Sequence, residues 1–161
     1  MSNAMPDPLR TCPNWLMLVF FLALTVGGGT LIGVNNIPGE WYTGLQKPSF
    51  NPPNWIFAPV WTLLYVAIAV AGWRTWRRDP RDGAMFLWVA QLVLNFSWSP
   101  VFFGAERPGT ALAVIAALLV LILLFLVVSW RRDRTSALLF VPYGLWVAFA
   151  TLLNAAIYQL N

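Results

Sequence analysis

Residues 109–130 read GTALAVIAALLVLILLFLVVSW, an unbroken apolar run without a charged side chain. At 1.5 Å rise per residue, a helix over this run is about 33 Å long, enough to cross the roughly 30 Å of hydrocarbon in a bilayer. A barrel strand would need only about 9–11 residues with apolar and polar side chains alternating, a pattern absent here. Working outward, four more runs of similar length stand between charged or turn-rich breaks, at about residues 15–34, 56–76, 84–103 and 136–159. The whole composition agrees. Of 161 residues, 59% are apolar and 10% charged, against about 45–50% and about 25% in a soluble domain. A chain this small cannot hide that excess from water, so it must face lipid. The expectation is an all-α protein, an integral membrane bundle of five transmembrane helices, with residues 15–161 forming one domain.

Residues 1–14 are read as a tail in which Ser2-Asn3-Ala4 ahead of Met5 has the look of a vector-derived remnant. The first apolar run exceeds the roughly 7–15-residue core of a signal peptide and lacks a small-residue cleavage site, so it is read as a retained helix. The short links at 77–83, 104–108 and 131–135 predict antiparallel neighbours. Arg10, Arg74, Arg77, Arg78, Arg81, Arg131, Arg132 and Arg134 fall at one end of the bundle, and only Lys47 and Arg107 at the other. This asymmetry predicts a cytoplasmic N-terminus in a bacterial inner membrane. Because the basic residues are sorted by link and the net charge is only +4, they point to topology and no nucleic-acid partner is expected.

Several chemistries are excluded. The chain has no histidine and one cysteine, Cys12, so no intrachain disulfide, His/Cys metal centre or histidine-dependent triad is available. The carboxylates Asp7, Glu40, Asp79, Asp82, Glu106 and Asp133 lie in the tail or the links, which removes the intramembrane ionisable group that coupled transport normally uses. No metal ligand and no required cofactor are assigned.

What remains within the spans is neutral, polar and aromatic. Gln91, Asn95 and Trp98 share one face of the third span, Trp61 and Tyr65 stack on the second, and Trp146, Ala150 and Asn154 run down the fifth. The long link 35–55 carries Trp41, Lys47, Phe50 and Trp55 among prolines and asparagines, and is read as a structured lid over this end of the bundle. Aromatic walls, a few amides and a lid are the ingredients of a small-molecule pocket. The same amides also fit plain interhelical hydrogen bonding. Trp15, Trp73, Trp76, Trp88 and Trp130 lie near span ends and are expected in an interfacial belt. Gly29 and Gly33 form a GxxxG, and Ala113 and Ala117 a small-xxx-small pair, either of which marks a dimer face or close packing within the bundle. Pro100 and Pro142 are expected to bend the third and fifth helices.

The string Trp41-Tyr42-Thr43-Gly44-Leu45-Gln46-Lys47-Pro48-Ser49-Phe50-Asn51-Pro52-Pro53-Asn54-Trp55, continued by Pro59-Val60-Trp61-Thr62 and Leu64-Tyr65, resembles the tryptophan-rich sensory protein / translocator protein (TspO/MBR) family. Gln91-Leu92, Asn95, Trp98, Pro100 and Phe102-Phe103 match its third helix, Ala111-Leu112-Ala113 its fourth, and Pro142-Tyr143, Trp146, Ala148-Phe149-Ala150 and Leu153-Asn154 its fifth. The resemblance implies a homodimeric five-helix receptor or sensor in the lipid bilayer, binding protoporphyrin IX, haem and related tetrapyrroles, with ligand transport as an associated role. It implies a site at Trp61, Asn95, Trp98, Trp146 and Ala150, and, for a eukaryotic member, the mitochondrial outer membrane. Two alternatives stay open: a porphyrin-degrading enzyme using light, oxygen, Trp61 and Trp146, or a small-molecule or sterol transporter. Ser49 replaces a tryptophan found in some bacterial members, and Tyr158 is followed by no basic residue, which argues against the cholesterol motif proposed for animal members.

Overall fold

The computed structural model describes residues 14–161; the readings of the tail, including Arg10 and Cys12, lie outside them. Five long helices succeed one another: α1 Asn14–Asn35, α2 Asn54–Arg78, α3 Gly83–Gly104, α4 Pro108–Arg132 and α5 Arg134–Leu160. There is no strand among the described residues. The helix ends reflect local chemistry. α2 and α4 finish on Arg77-Arg78 and Arg131-Arg132, cations at the negative end of the helix dipole. α4 opens with Pro108 in its first turn, where the missing N–H costs no intrahelical bond.

Two helices contain a π turn. In α1 it covers Ala23–Gly27, and the buried Thr25 Oγ1 lies 3.0 Å from the Phe21 carbonyl and 2.9 Å from the Tyr65 carbonyl of α2. In α3 it covers Pro100–Gly104 and closes with an Ala105 N–H bond to the Pro100 carbonyl at 2.8 Å. The bend expected at Pro100 takes this form, because the ring removes the N–H that an α turn would use. α5 runs through Pro142 without interruption.

The helices close a ring in the order α1, α2, α5, α4, α3 and back to α1. α2 and α3, joined by the short link 77–83, also meet, chiefly where the Trp88 indole of α3 lies on Gly72 of α2. Trp88 is 2% exposed and donates its indole N–H to the Ile68 carbonyl at 2.9 Å. It is therefore a core residue and not part of the interfacial belt. Gly72 makes room for it: a Cβ there would lie 2.3 Å from Trp88 Cε2. The belt reading suits Trp73, stacked under Arg77, and Trp130, stacked under Arg134. Inside the ring, Ile68, Ile115, Leu118, Ile122, Phe125, Phe140 and Val147 form the core, while Leu63, Val127 and Leu145 are exposed on the outside.

The two ends differ. At the arginine end, Arg74 grips Asp133 through Nε and Nη2 at 3.0 and 2.8 Å, and Ser136 Oγ donates to the same carboxylate at 2.7 Å. Arg132 pairs with Asp82, and Arg78 bonds the Arg132 carbonyl, so the two links at this end are tied together. At the opposite end, the long link forms a short helix, Glu40–Gly44. Tyr42 packs edge-on against Phe102 and Phe103. The Asn161 carboxamide accepts from Gln46 N–H at 3.0 Å and donates to the Gln46 carbonyl at 3.1 Å.

Candidate functional site

Beneath this link lies a cavity of about 700 Å³, walled by all five helices, α4 through Ile115 and Leu118, with the link as roof. That size falls within the roughly 300–1,000 Å³ of small-molecule sites. The helical spacing decides who faces it. From α2 come Phe57, Trp61 and Tyr65, each one turn apart; from α3 come Asn95, Trp98 and Phe102; from α5 come Trp146, Ala150 and Asn154. Seven of the residues named from sequence therefore meet in one wall.

Gln91 stands one turn deeper and does not line the cavity; it belongs to a hydrogen-bond chain behind the wall. Tyr65 donates to Asn95 Oδ1 at 2.8 Å, Asn95 Nδ2 donates to Tyr143 Oη at 2.9 Å, and Tyr143 donates to Gln91 Oε1 at 2.8 Å. Gln91 Nε2 ends the chain on the Trp88 carbonyl at 2.9 Å. Every proton in this chain has a direction. Tyr65 gives its proton to Asn95, so its oxygen keeps lone pairs free to accept a further bond. The two sequence readings of the amides, pocket and interhelical bonding, thus describe the same groups.

The link contributes differently from what its aromatic residues suggested. Asn36, Ile37, Pro38, Tyr42 and Asn54 line the cavity, whereas Trp41, Lys47, Phe50 and Trp55 do not. Trp41 sits against Phe102, Phe50 against Phe149, and Trp55 is 73% exposed. Lys47 Nζ lies 3.4 Å from the Thr43 carbonyl, 3.3 Å from the Leu45 carbonyl and 4.6 Å from the Tyr42 ring centroid. Its charge is held by the link itself. Burial raises the pKa of the Tyr42 phenol, which stays neutral as part of the roof.

The three wall tryptophans are not equivalent. Trp98 is stacked on Phe102 at 5.1 Å and donates to Asn154 Oδ1 at 3.1 Å, while Asn154 Nδ2 reaches the Pro108 carbonyl at 2.9 Å. Trp61 leans on Tyr65 at 5.4 Å and Tyr143 at 6.3 Å. Trp146 touches Phe57 and Phe149 edgewise or tilted, and its Nε1 is buried without an acceptor. A shielded indole N–H without a partner costs about 1–3 kcal/mol. No cluster of His, Cys, Asp and Glu suited to a metal occurs among the described residues. Phe57, Tyr42, Phe102 and Tyr143 were not named as site residues from sequence, although the last three stand in the quoted family motifs. Phe57 and Phe102 each stand four residues from a chosen tryptophan, and that spacing would have found them.

Comparison with known proteins fits this architecture. The TspO/MBR family model matches residues 15–160. A tryptophan-rich sensory protein of Cereibacter sphaeroides is 36% identical over 148 residues, covering 92% of this chain and 93% of its own. A tryptophan-rich protein TspO of Archaeoglobus fulgidus is 44% identical over 125 residues, covering 75% and 80%, and the human translocator protein is 33% identical over 157 residues, covering 92% of each. Five apolar membrane-length helices, a tryptophan-walled cavity under an ordered link, and these matches along nearly the whole described chain make it a multi-pass membrane protein of the TspO/MBR family.

Proposed function

We propose that this chain is a membrane receptor for flat, largely apolar tetrapyrroles of the protoporphyrin and haem type, with movement of the ligand as an associated role. The observation that carries the reading is a cavity of about 700 Å³ into which three helices bring the rings of Phe57, Trp61, Tyr65, Trp98, Phe102 and Trp146. Aromatic faces suit a planar macrocycle, and a lining with few polar groups suits its apolar body. The names of the relatives, sensory and translocator, support a receptor or carrier. Trp61, Tyr65, Asn95, Trp98, Trp146, Ala150 and Asn154 form the binding wall, and no cofactor is required. We also infer that the arginine end faces the cytoplasm, since seven described arginines gather there against Lys47 and Arg107 opposite.

The test is a protoporphyrin titration in phosphatidylcholine vesicles, read by quenching of tryptophan fluorescence. Trp146→Phe replaces the indole with a smaller aromatic face; losing about 1 kcal/mol of stacking weakens binding about fivefold. Trp61→Phe and the double variant run beside it, with protein-free vesicles as control. Identical curves for wild type and both single variants would place the porphyrin elsewhere. A second reading, oxidative porphyrin breakdown under illumination, is favoured by the contacts of Trp61 with Tyr65 and Tyr143. Its signature is a porphyrin absorbance loss in light that Trp61→Phe abolishes.

A further inference from the structure

α1 and α2 run together over only part of their length. As far as the π turn at Ala23–Gly27, α1 lies against α2; from Gly28 onward it leans on α3. A π turn widens the helix locally and re-aims the turns beyond it. The hand-over is completed by two glycines. A Cβ on Gly28 would lie 2.8 Å from the Phe96 ring of α3, and one on Gly29 would lie 2.2 Å from the Tyr65 ring of α2. Tyr65 fills the last space between α1 and α2. Past it the space is open: a Cβ on Gly33 would meet no heavy atom within 4 Å.

Four small residues edge this opening, Thr30 and Gly33 on α1 and Ala58 and Thr62 on α2. All four line the cavity and all four are exposed, so small, accessible residues rim the cavity along this gap. Thr62 Oγ1 donates back to the Ala58 carbonyl at 2.9 Å, so its polar atom is engaged with its own helix. The slot lies within two apolar spans, and therefore gives onto hydrocarbon. The same gap continues to the link, where Val34, Ile37, Pro38 and Asn54 also line the cavity and are exposed. The roof is pinned by Tyr42 against Phe102 and Phe103 and by the clasp between Gln46 and Asn161. A groove of about 450 Å³ on the α2–α5 face is separated from the cavity by Trp146, which lines both.

We propose that the slot between Thr30–Gly33 and Ala58–Thr62 is a lateral port through which the cavity exchanges flat, apolar aromatic molecules directly with the bilayer. The inference rests on reading the cavity as a ligand site. It assigns the GxxxG of α1 a use apart from dimerisation: Gly29 seats Tyr65, and Gly33 keeps the port clear.

The experiment measures protoporphyrin uptake into, and release from, the protein in phosphatidylcholine vesicles by stopped-flow tryptophan quenching, with albumin as the trap for release. Gly33→Phe and, on the opposite rim, Ala58→Phe are expected to slow uptake and release together by about tenfold or more. A plug slows both directions, whereas a damaged binding wall speeds release. Faster release in both variants overturns the port, as does slower exchange in Ala67→Phe, which fills the α2–α5 groove instead. Faster uptake in Asn161→Ala, which loosens the roof, also overturns it. A second arm does not depend on the ligand class. In a Cys12→Ser background, Ala150→Cys places a thiol in the cavity, and its labelling by pyrene maleimide dissolved in the vesicles should slow about tenfold when Gly33→Phe is added. If wild type shows no saturable protoporphyrin signal, the tetrapyrrole reading fails and the labelling arm alone decides the port. Unchanged labelling refutes it.

Discussion

Tyr143 is 0% exposed and holds the middle of the hydrogen-bond chain, accepting from Asn95 and donating to Gln91. Tyr143→Phe keeps the ring among Phe140, Trp61 and Val147 and deletes only the hydroxyl. Two bonds between α3 and α5 disappear. Interhelical bonds in membrane proteins average about 0.6 kcal/mol, which sets a floor near 1.2 kcal/mol. The Asn95 donor and the Gln91 acceptor are also stranded where water cannot reach, at about 1–3 kcal/mol each in a soluble core. The first figure allows the partners to find substitutes and the second does not, so a loss of about 2 kcal/mol is expected, roughly thirtyfold in the folded-to-unfolded ratio. Unfolding by sodium dodecyl sulfate in phospholipid bicelles, monitored by circular dichroism, measures it. Tyr65→Phe is the internal standard: it breaks one bond, beside a cavity that can admit water, and should cost less than half as much. Adding Gln91→Leu to Tyr143→Phe should be less than additive, because both remove the same bond. A Tyr143→Phe protein within about 0.5 kcal/mol of wild type, or a strictly additive pair, would refute the idea that this chain is a cooperative support for the cavity wall.

Three further outcomes are expected in the same assay. Gly72→Ala pushes a Cβ into Trp88 and should destabilise by about 1–3 kcal/mol, while Gly39→Ala, whose Cβ meets nothing within 4 Å, should be near neutral. Glu106 has φ 55°, a left-handed conformation unfavourable for a side chain, so Glu106→Gly should gain about 1 kcal/mol; a loss would show that the glutamate makes a compensating contact. Burial raises the pKa of Asp133, but hydrogen bonds from Arg74 and Ser136 and the guanidinium charge outweigh it and hold the group at about 2, below the ordinary carboxylate value of 3.8. A depressed carboxylate stabilises the fold fully above its unfolded pKa and loses that contribution on protonation. Stability should therefore fall as pH drops from about 4 toward about 2, and Asp133→Asn should diminish that step; an unaltered acid profile in the variant would assign the step to other groups, Asp82 first, whose pKa is lowered by Arg132.

The fold was legible wherever a single helix carries the signal. Five apolar runs matched the five spans to within a turn, and helical spacing placed Trp61 with Tyr65 (i, i+4) and Asn95 with Trp98 (i, i+3) on the right faces. What sequence could not supply was the relation between helices. Trp88 stands near the end of its run like a belt tryptophan; only the pairing of α3 with Gly72 on α2 turns it into a core residue. Gln91 shares a face with Asn95, yet one turn of depth separates a cavity wall from its support. In the link, aromatic content promised a lid but could not say that Tyr42 would point inward while Trp55 pointed out. Nor does any local pattern announce the π turn at Ala23–Gly27, where Thr25 reaches the Tyr65 carbonyl of the neighbouring α2.

The clasp between Gln46 and Asn161 joins residues 115 positions apart. During synthesis the link emerges early, between the first two helices, and has no C-terminal partner until the last turn of α5 has left the ribosome and entered the membrane. The bundle itself brings the two groups together, so closing the clasp fixes little additional chain. Roof closure is thus a late event conditional on complete insertion. Its protection against hydrogen exchange at the Gln46 amide would serve as a single-residue report that all five helices have assembled.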